Sequence, residues 1–153
     1  MASFADIAAE FQQRVQRAVL ATVATVDAKG RPRSRVLHPL WENSTGWILT
    51  GRNSIKARHL ARSPYVSVTY WDNAQEQVHA DCRVAFKEDL ATRRRLWELF
   101  KSTPPPQGYD PAPFFPNGPD AADFGCLELT PWRIELWSTA ALLGGQPPRV
   151  WRP

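Results

Sequence analysis

Apolar residues recur at helical spacing over residues 4–18, where Phe4, Ile7, Ala8, Phe11, Val15 and Ala18 share one face. From 20 to 26 the period falls to two and the residues turn β-branched, which predicts a strand. Asp27-Ala28-Lys29-Gly30 reverses the chain, with Gly30 free to take positive φ, and residues 33–41 return as the second strand of a hairpin. Asn43-Ser44-Thr45-Gly46 turns it again into a third strand over 47–50. A short helix over 54–62 is opened by Ser54 and stopped at Ser63-Pro64. Residues 65–71 carry the clearest strand alternation. Beyond the turn at Asp72-Asn73, residues 77–86 align Val78, Ala80, Cys82, Val84 and Phe86 on one face. A second long helix runs from about 89 to 101, and two strands over 126–129 and 132–137 are joined at Thr130-Pro131. The tail from 144 reads as irregular.

This order predicts a mainly β chain with flanking helices, an antiparallel barrel of short strands joined by consecutive hairpins. Residues 1–153 read as a single domain, long enough to bury about two-thirds of its unfolded surface. Residues 103–119 are rich in Pro and Gly and exclude regular structure. Their aromatic residues Tyr109, Phe114 and Phe115 predict a packed lid rather than a free linker.

Composition narrows the function by exclusion. The net charge is +4, but basic residues are interleaved with acidic ones, which argues against a nucleic-acid surface. The dense run Arg93-Arg94-Arg95 belongs to a helix and reads as its solvated face. No apolar run approaches the roughly 20 residues that span a bilayer. The start Met1-Ala2-Ser3-Phe4-Ala5-Asp6 has no basic region followed by an apolar core, so no secretory signal is expected. Cys82 and Cys126 lie in apolar strands and read as buried small hydrophobes of a protein in a reducing cytoplasm. No Ser/His/Asp, Cys/His or metal-ligand set is visible. His38 reads as a strand-edge residue, and His59 as facing outward from its helix.

Two stretches concentrate basic and hydroxyl groups where the chain turns at strand edges: Gly30-Arg31-Pro32-Arg33-Ser34-Arg35-Val36-Leu37 and Gly51-Arg52-Asn53-Ser54-Ile55-Lys56-Ala57-Arg58-His59-Leu60. Arg and Lys give charge-assisted hydrogen bonds to a phosphate, and a helix N-terminus adds backbone N–H groups. The pair therefore points to a phosphorylated cofactor.

The same residues resemble the flavin-binding split-barrel family typified by pyridoxamine 5'-phosphate oxidase. The resemblance covers about residues 15–139 and rests on Ala21-Thr22-Val23, the Gly30-x-Pro32-x-Ser34-Arg35-Val36 return and the Thr50-x-x-x-Ser54-x-Lys56 turn. It extends through residues 58–68 and the strand Arg133-Ile134-Glu135-Leu136-Trp137. It implies a split β-barrel that binds FMN, with Arg35, Ser54 and Lys56 on the phosphate and Thr50 as a nearby hydroxyl. It places the backbone of Val36 and Leu37 along the flavin ring, Gln77 on the ring's polar edge, and Trp137 approaching from a partner subunit of a homodimer. The implied activity is hydride or electron transfer with a small molecule. The alternatives are use of the deazaflavin coenzyme F-420, or a flavin carrier or sensor without turnover.

Three departures bear on chemistry. Ile55 stands where the family's oxidases usually have Arg, with Arg52 and Arg58 as the neighbours able to replace it. The Lys expected five residues after Arg35 is Leu40. The closing Arg-Leu-His-Asp-Arg element that grips the substrate is here Arg149-Val150-Trp151-Arg152-Pro153. These changes imply a flat, apolar substrate in place of a pyridoxal-like phosphate.

Overall fold

The first hairpin is built around Asp27. One of its carboxylate oxygens accepts from the backbone N–H of Lys29 and Arg31, the other from Arg31 Nε at 2.8 Å. Those bonds hold the carboxyl well below its ordinary range, at about 2, and Gly30 takes φ +76° in the turn. The computed structural model describes residues 3–153; Met1 and Ala2, at the start of the segment read for a leader, lie outside it.

The chain runs α1 (Ala5–Ala18), β1 (Ala21–Val26), β2 (Pro32–Leu37), β3 (Leu40–Glu42), β4 (Thr45–Gly51), α2 (Ile55–Arg62), β5 (Tyr65–Trp71), β6 (Glu76–Phe86), α3 (Leu90–Ser102), β7 (Phe124–Ser138), α4 (Thr139–Leu143) and β8 (Arg149–Trp151). Eight strands form one sheet in the order β2-β1-β5-β6-β7-β4-β3, with β8 beside β7, and the pairings are antiparallel. This is a mainly β, split-barrel architecture with helices around it, as the pattern predicts.

Three predicted elements are redrawn. The strand expected over 33–41 breaks at His38-Pro39 into β2 and β3, because Pro39 has no N–H to give a ladder. The two strands expected at the end are one 15-residue strand, β7. It passes Pro131 through a bulge, where the register against β6 shifts between Asp81 and Cys82 and leaves Trp132 unpaired. The tail from 144, read as irregular, contains β8, and a short helix, α4, precedes it.

There are two cores. Within the barrel, α1 presents Ile7, Phe11 and Val15 to Val68, Val78, Leu129 and Ile134; Phe11 is fully buried and meets Trp41 edge-on at 5.0 Å. Trp41 Nε1 donates to Tyr70 Oη at 2.9 Å, which satisfies both polar groups in the interior. The second core lies on the opposite face of β4 and β7. There Trp47, Leu49, Phe124 and Cys126 meet Leu96, Trp97 and Phe100 of α3. Strand β4 is thus buried on both sides, and the segment after α3 closes the second core with Tyr109 and Phe115.

Candidate cofactor site

Arg35 sits at register with Val23 on the edge strand β2. Its Nη1 donates to Thr25 Oγ1 at 2.8 Å and to the Val23 carbonyl at 3.2 Å. Thr25 is buried, and its oxygen lies 2.8 Å from Nδ1 of His59 on α2. With Arg35 donating to that oxygen, the threonine O–H is free to donate to the imidazole. His59 thus turns in toward β1, in contrast to the outward orientation expected of it, and ties α2 to the strand that carries Arg35.

The turn after β4 brings the second basic group. Ser54 adopts extended backbone and its Oγ accepts from Ala57 N at 3.3 Å, a side-chain N-cap that starts α2. Lys56 follows in the first turn, partly buried. Burial lowers its ammonium below the ordinary lysine value, and the charge of Arg35 lowers it further. Arg35 is lowered by burial first and by Arg33 second. Neither Arg35 nor Lys56 has a carboxylate partner among the described residues, although most other cations of the chain are paired. Two partly desolvated like charges of this kind favour an anion between them, and a phosphate would neutralise both.

The two neighbours able to replace the missing arginine at Ile55 behave differently from each other. Arg52 donates to Glu88 at 2.8 Å and stacks on Phe86 at 4.1 Å, so it is engaged. Arg58 is exposed and, with Lys29, Arg31, Arg62 and Asp27, lines a shallow cleft of about 480 Å³ beside α2.

From the basic corner, β2 leads along Val36, 62% exposed, and Leu37 into a cleft of about 520 Å³. Thr50, buried at the end of β4, lines it, and the wall opposite is formed by Tyr109, Phe114 and Phe115. The structure therefore brings Arg35, Val36, Leu37, Thr50, Ser54 and Lys56 to one side of the barrel. Gln77 and Trp137 face each other across β6 and β7, and β1 and β5 separate them from β2. Gln77 Oε1 lies 2.9 Å from His79 Nε2, and both backbone carbonyls accept from the buried Arg14. Within one chain this pair stands apart from the basic corner.

Two groups were missed by sequence reasoning. Arg93, read as part of a solvated face, is buried and donates to the carbonyls of Ala121 and Phe124, closing the end of the loop. No local signal distinguishes it from Arg94 and Arg95, which make surface pairs with Asp120 and Glu42. The terminal Arg149 reaches Glu10 and the Asp6 carbonyl on α1, while Trp151 is buried against Phe4. The segment that grips substrate in the family's oxidases is here spent on fastening α1.

Comparison with known proteins bears on the family and the fold. Residues 7–138 match the family model for pyridoxamine 5'-phosphate oxidase. A pyridoxine/pyridoxamine 5'-phosphate oxidase of Pseudomonas entomophila is 37% identical, over 90% of this chain and 74% of that one. Among solved structures, a protein of Clostridium acetobutylicum related to general stress protein 26 superposes with TM-score 0.74 at 15% identity, covering 96% of this chain and 94% of its own. A pyridoxamine 5'-phosphate oxidase-related, FMN-binding protein of Nostoc punctiforme gives 0.69 at 17% identity, with 100% and 97% covered. The chain belongs to the pyridoxamine 5'-phosphate oxidase family and has its split-barrel fold.

Proposed function

We propose that this chain binds FMN and serves as an oxidoreductase that passes hydride or electrons between the flavin and a small molecule. The observation that carries the reading is the juxtaposition of Arg35 and Lys56, partly buried, mutually repelling and without carboxylate partners among the described residues. They fit a phosphate, with the Ser54 hydroxyl beside them: its oxygen accepts from Ala57 N, which leaves the O–H free to donate. The exposed strip at Val36 and Leu37 then offers backbone and apolar surface to the ring system. A bound flavin supplies the redox chemistry itself; the protein contributes position, electrostatics and exclusion of water.

Gln77 and Trp137 enter this reading through a second copy of the chain. Tyr65 and Trp132, 53% and 48% exposed, share one surface of the sheet, and Trp71, 54% exposed, stands at the other end of β5; exposed aromatic residues are enriched at interfaces. A homodimer with the cofactor at its interface would bring the partner's copies of those groups toward the basic corner. The mass in light scattering would be twice 17.3 kDa; a monomer at micromolar concentration would remove Gln77 and Trp137 from the site. No helix among the described residues is long and apolar enough to cross a membrane, and the two cysteines are free and buried, which supports a reducing cytoplasm.

A second reading is favoured by one feature. The cleft of Lys29, Arg31, Arg58 and Arg62 continues the positive surface past the phosphate corner, and Ile55 removes an FMN-type arginine. A deazaflavin such as coenzyme F-420 would use the same corner. The deciding experiment is titration of the purified protein with FMN and with the deazaflavin, together with mass identification of any cofactor that co-purifies. Tighter binding of the deazaflavin replaces the FMN reading. Binding without turnover of any acceptor leaves a carrier or sensor.

Pyridoxamine 5'-phosphate itself is a poor candidate substrate. Leu40 packs into the second core, Arg149 is engaged by α1, and Trp151 is buried. Loss of two charged contacts, each worth about 1.5–3 kcal/mol, weakens binding at least a hundredfold. FMN-loaded protein given this substrate and oxygen should form no aldehyde above background; turnover near 10 per second, about the median for enzymes, would overturn the expectation.

A further inference from the structure

Phe114 is 70% exposed, yet the segment that carries it is firmly seated. Gln107 fastens its start: the side-chain amide donates to the Gln16 carbonyl at 3.0 Å, and the backbone carbonyl accepts from His38 Nε2 at 2.8 Å. Gly108 follows in a position closed to any side chain, since a Cβ would fall 2.0 Å from the Thr103 carbonyl oxygen. Tyr109 N donates to the Phe100 carbonyl at 2.9 Å, and its ring packs on His38, Phe100 and Phe114 at 4.8, 5.3 and 5.6 Å between centroids. Burial raises the Tyr109 phenol to about 12, so it stays neutral. Pro111 is fully buried, and its carbonyl accepts from the N–H groups of both Phe114 and Phe115. A large ring is thus held out over the cleft by a rigid base rather than by a flexible tip.

The cleft it overhangs is chemically one-sided. Its lining contains no Asp, Glu, Lys or Arg, and the polar side chains are His38, Thr50 and Tyr109. A charged ligand group would lose its water there without gaining an opposite charge. A planar ring, by contrast, finds the faces and edges of Phe114 and Tyr109 on one side and, on the other, the flat flavin that the Val36–Leu37 strip would carry. We propose that the segment 103–123 is a specificity wall that selects an uncharged, planar aromatic compound as the small-molecule substrate. This inference rests on the flavin reading above, in which the cofactor occupies the Val36–Leu37 strip.

The test titrates FMN-loaded protein with 2-methyl-1,4-naphthoquinone and, as its charged counterpart, 1,4-naphthoquinone-2-sulfonate, following heat of binding and the visible spectrum of the flavin. The neutral quinone should bind and the sulfonate bind at least tenfold more weakly. F114A should weaken quinone binding by about two- to tenfold, the range of one aromatic contact, and F114W should restore it. Because Phe114 is exposed, F114A should leave the unfolding midpoint unchanged. Equal binding of the two quinones, or quinone affinity indifferent to Phe114 in protein that holds FMN, overturns the wall alone. Quinone binding that depends on Phe114 in protein that takes up no FMN supports the wall and overturns the flavin reading alone. A lowered oligomeric mass for F114A would assign the ring to contact between copies and also overturn the inference.

Discussion

Arg35 and Lys56 at one end of the site, and Tyr109, Phe114 and Phe115 at the other, are held by different kinds of structure. The basic corner is local: a hairpin organised by Asp27, a helix capped by Ser54, and a bridge of Arg35, Thr25 and His59 that joins them. Its charges are partly desolvated and repel each other, so it costs the empty protein stability. The aromatic wall is assembled from distant parts, α3, β4 and β7, and draws its order from a dense apolar core. A corner of partly desolvated charges, set against a wall packed on an apolar core, implies two regions that fail separately.

Phe100 is the most direct way to break the wall. It is fully buried between Tyr109, His38 and the second core. F100A should destabilise the fold by about 3–5 kcal/mol, read from denaturant unfolding. FMN affinity should fall by less than tenfold, about 1.4 kcal/mol, because the phosphate corner shares no packing with Phe100. A parallel collapse of FMN binding in protein still folded at the assay temperature would show that the two ends form one unit.

The reciprocal substitutions are R35A and K56A. Each removes a charge-assisted contact, and FMN affinity should drop about ten- to a hundredfold, or roughly 1.5–3 kcal/mol. Without FMN the unfolding midpoint of K56A should be equal to or slightly above that of the parent, since a desolvated charge beside Arg35 is relieved, whereas that of R35A should fall slightly, since its bonds to Thr25 and the Val23 carbonyl are lost. With FMN in excess the parent should gain more stability than either variant. Unchanged FMN affinity in both would remove the corner from the cofactor site.

Ser54 separates capping from recognition in a single residue. S54A loses the acceptor for Ala57 N and should cost about 1 kcal/mol of stability, whereas S54G should cost only a few tenths. If the hydroxyl also donates to phosphate, both variants lose FMN affinity alike. Affinity that instead tracks stability would confine Ser54 to its cap.

The contrast between the two ends also explains what the sequence could reveal. The basic corner lies within hairpin and helix-turn distances, so Arg35, Ser54 and Lys56 are visible as local patterns of strand, turn and cap. The second core is invisible at that range. Arg93 finds its carbonyl partners about thirty residues away, at Ala121 and Phe124, and a charged run on a helix carries no trace of them. Pro131 reads as a strand breaker because a bulge at Trp132 can be seen only once β6 is in register. The three residues of β8 are too few for periodicity and exist because β7 offers them an edge. Tyr109 and Phe115 were legible as packing residues, but the surfaces they pack on were not.

The smallest expected effect tests whether Lys56 works as a charge. Its ammonium is lowered first by burial and then by Arg35, so in the empty folded protein it loses its proton below the ordinary 10.5 of the unfolded chain. Between those two values the unfolded chain binds more protons, and stability of the empty protein should rise with pH through that window. A bound phosphate opposes the shift by favouring the ammonium. FMN affinity should therefore decline as pH rises through the depressed value toward 10.5, a range in which the phosphate, with a second pKa near 6, is ionised. K56R keeps its charge throughout the range, since arginine titrates above about 12. Subtracting the K56R profile from the parent's cancels titration of the flavin and of other groups and leaves the Lys56 contribution. A difference that is flat with pH would mean that Lys56 meets no phosphate, and the anion would then rest on Arg35 alone.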